Sequence, residues 1–286
     1  MTTFGLVTRP ASRPRRIIFT IVAGIVSAAF LTAVPNVLAP WLIVNGQGLS
    51  DPTEARWSLA LEACVDLLAV IFIVAALLKP ARSALLVQYV LYAALLAAAV
   101  VIPFTGPTFL FVAAVLLLVP LTYPYPRELF SLRSQRGPSL LLLTVAVLAA
   151  AVLVPLAVQA IRIQATLPRG TESVLATNAE HLLLLAVAGL LAATRRPGWR
   201  VIAVAVTATY AYLGLVSILL PNQPNSWGTA GGAASLLASA AFGIAAVIAA
   251  RGHDSGPTEP EAVPPGETPG APEPGYTTRH ALGRDR

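Results

Sequence analysis

Apolar residues run through this chain in blocks of about twenty, broken by short polar, Pro-containing stretches. The blocks are apolar all round rather than striped at a 3.6-residue period, which is the pattern of membrane spans and not of amphipathic surface helices. Eight spans are predicted, at about 17–34, 57–78, 84–102, 108–122, 139–160, 179–194, 201–220 and 229–250. Lys79–Ser83 and Arg195–Arg200 are tight basic turns. The stretch 102–107 reads as a hairpin, Arg162–Asn178 as a longer polar loop, and Pro221–Gly228 as a short one. Residues 251–286 are rich in Pro, Gly, Glu and Thr and read as a disordered tail.

The basic residues fix an orientation. Thirteen Lys and Arg fall on one side (Arg9, Arg13, Arg15, Arg16, Lys79, Arg82, Arg127, Arg133, Arg136, Arg195, Arg196, Arg200 and Arg251) and three on the other (Arg56, Arg162 and Arg169). The alternation holds across all eight spans, so both termini are expected in the cytoplasm. The first apolar run exceeds the 7–15 residues of a signal-peptide core, and no A-x-A site follows it, so it reads as an uncleaved span.

The second half restates the first. Lys79-Pro80 returns as Arg196-Pro197 and Leu67–Val70 as Leu184–Val187, both 117 residues later. Glu62 returns as Glu180, Tyr92 as Tyr210 and Pro103 as Pro221 at 118, and Val34-Pro35 as Val154-Pro155 at 120. Four spans per half is an even number, so the halves insert in parallel. The expected fold is an all-α polytopic membrane bundle of eight transmembrane helices built as two parallel four-helix repeats. Its parts are a basic N-terminus (1–16), the first repeat (17–122), a cytoplasmic linker (123–138), the second repeat (139–250) and the tail (251–286).

Composition narrows the picture. The chain is 56% hydrophobic and 11% charged, against roughly 25% charge in soluble domains. The mean hydropathy is +0.75. A pI near 10 would suit nucleic acid, but the basic residues sit where topology needs them, so no nucleic-acid partner is expected. Eighteen arginines against one lysine point to a GC-rich bacterial source, hence a bacterial plasma membrane. The single cysteine, Cys64, excludes an internal disulfide.

Candidate chemistry concentrates in two spans. Glu62 and Asp66 lie four residues apart on one helix face. A charged Asp at a helix centre costs about 2.5–3.5 kcal/mol on insertion scales. One reading is a proton or cation site facing a bundle interior. The other is a neutral Asp66 bonded to a neighbouring helix, with Glu62 paired to Arg56. On the sixth span, Asn178, Glu180 and His181 form either a ligand or proton site, or helix-start chemistry with Asn178 as cap. One membrane histidine with carboxylates is a poor metal set, so no metal and no cofactor is expected. Gly231, Ser235, Ser239 and Gly243 recur every four residues and predict close helix packing. This makes the last span the buried one and the fourth, with Phe109, Phe111 and Leu116–Leu118, the more lipid-facing. Gln88, Tyr89 and Tyr92, with Tyr210 and Tyr212, read either as hydrogen-bonding groups between helices or as groups lining a pore. Trp41, Trp57, Trp199 and Trp227, with Tyr123 and Tyr125, read as interfacial aromatics.

Ala179–Arg200 (AEHLLLLAVAGLLAATRRPGWR) and, more loosely, Leu61–Arg82 (LEACVDLLAVIFIVAALLKPAR) resemble the DoxX-like group of four-helix membrane proteins. There a glutamate near the outer end of the second helix precedes an apolar run, a cationic turn and another apolar helix. The resemblance implies the four-helix unit more than any activity. No Walker A string, GxGxxG or HExxH is present, and the residues between Arg162 and Ala176 hold no Ser–His–Asp set. A non-enzymatic membrane protein is therefore expected, touching lipid and a protein partner or a second copy. It would support a membrane complex or bind a small apolar or lipid-like ligand between its halves. The alternative is a proton- or cation-coupled small-molecule transporter using Asp66 and Glu62.

Overall fold

The computed structural model describes residues 12–33, 35, 37–38, 56–105, 107–131, 137–168, 174–223 and 225–251. Trp41, the first eleven residues and the tail 252–286, with His253 and His280, lie outside them.

Among the described residues the chain is helical throughout, with no strand. We number the principal helices α1 (Arg13–Phe30), α2 (Arg56–Leu78), α3 (Ala84–Thr105), α4 (Pro107–Thr122), α5 (Leu140–Thr166), α6 (Val174–Ala193), α7 (Trp199–Leu219) and α8 (Gly228–Arg251). Six of these, α2, α3 and α5 to α8, are long and apolar enough to cross a membrane. The other two are less so: α1 opens with Arg13, Arg15 and Arg16 and has 18 residues, and α4 has 16. In α3 the backbone makes a π turn over Ala97–Val101.

Several boundaries move from those read in the sequence. α5 runs to Thr166 and takes in Arg162, and α6 begins at Val174, so the connection expected over Arg162–Asn178 shrinks to 167–173. α3 continues through Pro103 to Thr105, so the hairpin expected at 102–107 is mostly helix.

The packing falls into two rings. α1 packs on α2 and α4, and α3 on α2 and α4. In the other ring α5 packs on α6 and α8, and α7 on α6 and α8. The rings meet through α2, α3, α6 and α7, chiefly α3 on α6, α2 on α7 and α2 on α6. These four helices are accordingly the most buried. Among the described residues, hydrogen bonds join the two halves: Trp57 Nε1 donates to Ser217 Oγ (2.8 Å), Asn178 Nδ2 to Ser58 Oγ (3.0 Å), Arg196 Nη1 to Gln88 Oε1 (2.6 Å), and Tyr212 Oη to Val37 O.

The aromatic residues correct the interfacial reading. Trp57 and Tyr123 are fully buried. Trp57 stacks edge-on against Trp227 as well as bonding Ser217. Tyr123 donates to Pro80 O at 2.5 Å and meets Phe19 edge-on. Both stand at helix ends, as the sequence implied, but neighbouring helices cover those ends.

The last helix is also not the most buried. In α8 28% of the most apolar stretch is buried, against 67% in α6. One face of α8 packs and the other, with Leu237, Ile244 and Ile248, is exposed. The packed face is Gly232, Ser235, Ser239, Phe242 and Ala245. Steps of three and four keep these residues on one side, whereas steps of four alone drift by about 40° each. Ser235 Oγ donates to Tyr210 O (2.7 Å) and Ser239 Oγ to Thr207 O (2.8 Å). The closest backbone approach is Gly232 to Gly214, where a Cβ on Gly232 would lie 2.7 Å from Gly214 O. Gly243 faces Thr207, while Gly231 lies over its own Trp227.

Candidate functional site

Glu62 and Asp66 sit in the first half of α2, one turn apart. Glu180 and His181 sit in the first half of α6. The packing of α2 on α6 brings these two half-helices together, and all four residues line one cavity of about 440 Å³. α3 contributes Tyr89, Ala93 and Ala97, the last being the first residue of the π turn. Phe30 of α1, with Phe109 and Phe111 of α4, closes the apolar side. Such a volume is in the range of small-molecule pockets, about 300–1,000 Å³.

The electrostatics are one-sided. Among the described residues no Lys or Arg lines the cavity. Asp66 feels the charge of Glu62, and Glu180 feels both. No cation among the described residues offsets Glu62 or Asp66, and the expected Glu62–Arg56 pair is not formed. Arg56 Nε itself has no hydrogen-bond partner among the described residues. Like charges held close in a poorly solvated site repel strongly. The cavity therefore calls for positive countercharge, either protons on the carboxylates or a bound cation.

Two further polar atoms are left over. Tyr89 Oη and His181 Nδ1 are buried and have no hydrogen-bond partner among the described residues. Both residues line the cavity, with Tyr89 0% and His181 5% exposed. A buried polar atom without a partner costs about 1–3 kcal/mol, so each one calls for an explanation, such as an ordered water or a bound ligand. Glu180 is buried as well, while Glu62 and Asp66 keep partial exposure.

Helix-start chemistry does not account for the residues of α6. Asn178, Glu180 and His181 stand more than a turn inside a helix that begins at Val174, so Asn178 is not a cap. Its amide instead bonds Ser58 across the seam. Among the described residues no group of three His, Cys, Asp or Glu side chains could hold a metal ion.

A second cavity, of about 780 Å³, lies between α5, α6, α7 and α8. It is lined by apolar residues of α5 and α8, with Gln159, Asn178, Tyr210, Asn225 and Ser235 as polar groups and no charged side chain. Gly231 and Trp57 also border it.

At the opposite end of α3 and α6 lies a cationic cluster. Arg196 is buried in the turn after α6. Its Nη1 donates to Gln88 Oε1, and its Nη2 donates at 2.8 Å to Glu128 O, at the end of the short helix Pro126–Leu129. Gln88 Nε2 in turn donates to Tyr92 Oη (2.9 Å). Burial holds the Arg196 guanidinium below its usual range and pushes the Tyr123 phenol and the Glu128 carboxyl up.

The sequence singled out the acidic residues and His181 and offered Tyr89 among several interhelical or pore-lining groups, but it did not mark Arg196 as a buried cation. Tyr89 was one of several tyrosines in apolar spans, and nothing local separates it from Tyr92. No known family, curated protein or solved structure matches this chain.

Proposed function

We propose that the protein is a proton- or cation-coupled small-molecule transporter that loads at the cavity between α2, α3 and α6, with Asp66 and Glu62 as coupling groups. The observation that carries this reading is the single cavity shared by Glu62, Asp66, Glu180 and His181. Intramembrane carboxylates facing a bundle interior are costly and mark ion or substrate paths.

The proposed frame is eight spans in two parallel four-helix repeats with both termini in the cytoplasm of a bacterium. The matching rings support it, since α1 to α4 and α5 to α8 pack in the same cyclic order. The seam supports it too: α3 on α6 and α2 on α7 exchange under a two-fold axis along the membrane normal. The four-helix unit is the one the DoxX-like resemblance implies. A reporter fused after Arg286 and found outside the cell would reject the orientation.

The transport reading is tested with the full chain in vesicles of phosphatidylethanolamine and phosphatidylglycerol holding a pH-sensitive dye. Solutes of each charge type are added outside. Proton movement driven by one class, and lost in Asp66→Asn, is expected. No solute-driven proton movement, or full movement in Asp66→Asn and Glu62→Gln, would overturn it.

A second reading is favoured by the 780 Å³ cavity. Its uncharged apolar lining fits a non-enzymatic protein that holds a lipid-like ligand, alone or within a membrane complex. Co-purification of a stoichiometric lipid, displaced by Ala238→Trp, tests it.

A further inference from the structure

We infer that the ligand of the carboxylate cavity is a small organic cation with an apolar or aromatic body, and that it exchanges for protons. This rests on the reading of that cavity as the loading site and adds the chemical class of what is loaded.

Three features carry the inference. The first is charge. The titratable groups facing the cavity are Glu62 and Asp66 from α2, Tyr89 from α3, and Glu180 and His181 from α6, while α1 and α4 contribute none. Three of these are carboxyls and no Lys or Arg is among the lining residues. An anionic ligand would meet only repulsion there. A sugar-like ligand would meet an apolar wall on its other side.

The second feature is that wall. Phe30, Phe109 and Phe111 line the same cavity as the carboxyl groups. Aromatic faces attract cations and also accept apolar carbon. A bare metal ion uses only the first property, and the described residues offer no group of three side chains to ligate one. An ammonium group carrying a hydrocarbon or aryl body uses both.

The third feature is the pair of buried polar atoms without partners, Tyr89 Oη and His181 Nδ1. Tyr89 is 0% and His181 5% exposed, and both line the same cavity. Tyr89 Oη can accept a hydrogen bond from an ammonium N–H, and so can His181 Nδ1 when that nitrogen carries no proton. They point to a ligand that brings donors, which makes the acidic cluster more than a group of acids sharing a helix end.

The exchange balances simply. A monovalent cation that enters displaces one proton from the carboxyl cluster to water, and the charge of the cavity is unchanged. Binding of the cation and of the proton are then mutually exclusive, which is the requirement for exchange across a membrane.

The test uses the purified full chain in detergent and titration calorimetry at pH 7 with benzylammonium, an aryl cation that carries three N–H donors. Ethylbenzene, its carbon isostere, and benzoate are the controls. Repeating the titration in buffers of different ionisation enthalpy counts the protons released. The cation is expected to bind at least about tenfold more tightly than either control, with about one proton released per cation, as the exchange requires. Asp66→Asn is expected to weaken binding at least about tenfold and to lower the proton count. Because Asp66→Asn can also disturb folding, Val112→Phe, which fills the cavity without touching its charge, is measured beside it and should weaken binding while leaving the proton count per bound cation at one. Equal binding of the isostere or of benzoate would overturn the inference, as would unchanged cation affinity in both variants. If vesicle proton flux depends on Asp66 but no cation binds, the ligand class fails and the carrier reading stands. If the cation binds with proton release but no flux is seen, the ligand class stands and the carrier reading fails.

Discussion

Gln88 and Tyr89 are neighbours on α3 that look in different directions. Gln88 Oε1 accepts a 2.6 Å hydrogen bond from the buried guanidinium of Arg196, while Tyr89 lines the carboxylate cavity. Consecutive residues of α3 thus reach the cationic cluster and the acidic cavity. Arg196 is held by the Gln88 amide and by the carbonyl oxygens of Glu128 and Leu129.

Gln88→Leu removes the only side-chain acceptor of Arg196 and should cost about 1.5–3 kcal/mol, the range for hydrogen bonds to charged groups. Gln88→Glu supplies a carboxylate and should raise the unfolding temperature at neutral pH. The sign follows from the new ion pair, which would lower the folded pKa of the introduced Glu. Its gain is present above the ordinary Glu pKa and is lost as pH falls through the folded value. Thermal unfolding in detergent across pH checks both.

Glu128 carries the opposite dependence. Burial raises its pKa above 4.5, so the folded state holds its proton more tightly than the unfolded state. Its contribution is fully present below the unfolded pKa and is lost as pH rises through the folded one. Glu128→Gln should therefore raise the unfolding temperature at pH 7, and the difference from the unaltered chain should close at pH 4 and below. A difference independent of pH would reject this.

Gly214 and Gly232 let α7 and α8 touch through their backbones. A Cβ on either would fall within 2.8 Å of the other's carbonyl oxygen. Gly232→Ala should destabilise by about 1–3 kcal/mol, as overpacking does. Gly243→Ala, with Thr207 Cγ2 at 3.3 Å, should cost less. Gly24→Ala, with nothing within 4 Å, should be neutral or stabilising by up to about 1 kcal/mol. The order of the three unfolding temperatures is the test.

Ser235 and Ser239 each bond a carbonyl of α7. Hydrogen bonds between membrane helices average about 0.6 kcal/mol, so each Ser→Ala change should cost less than Gly232→Ala. A larger loss from Ser239→Ala than from Gly232→Ala would show that hydrogen bonding, not close approach, holds α8.

The acidic residues were legible in the sequence because an apolar run admits charge only where a bundle interior takes it. Glu62, Asp66, Glu180 and His181 needed no structure to be noticed. What the sequence withheld was how helices cover one another. Trp57 and Tyr123 occupy helix ends, where lipid headgroups and neighbouring helices compete for them, and packing won. Asn178 resembled a cap because it stands just before the long apolar run, although the helix already runs through Val174–Thr177. Gly231 was taken for the contact glycine because it completes a strict spacing of four, yet Gly232, three residues before Ser235, keeps phase with the face that packs. Tyr89 carried no local mark at all.

The π turn over Ala97–Val101 holds one residue more than an α-helical path of the same length. In an α-helix each residue turns the chain by about 100°, so that extra residue resets the phase of α3. Residues before it keep the register that turns Tyr89, Ala93 and Ala97 to the cavity. Residues after it follow another register, which leads through Thr105 into α4. An unbroken helix would have to give up one of the two. Deleting Val100 would make that choice for it, so the cavity wall and the α3–α4 corner are two addresses written on one helix, with the π turn as the frame shift between them.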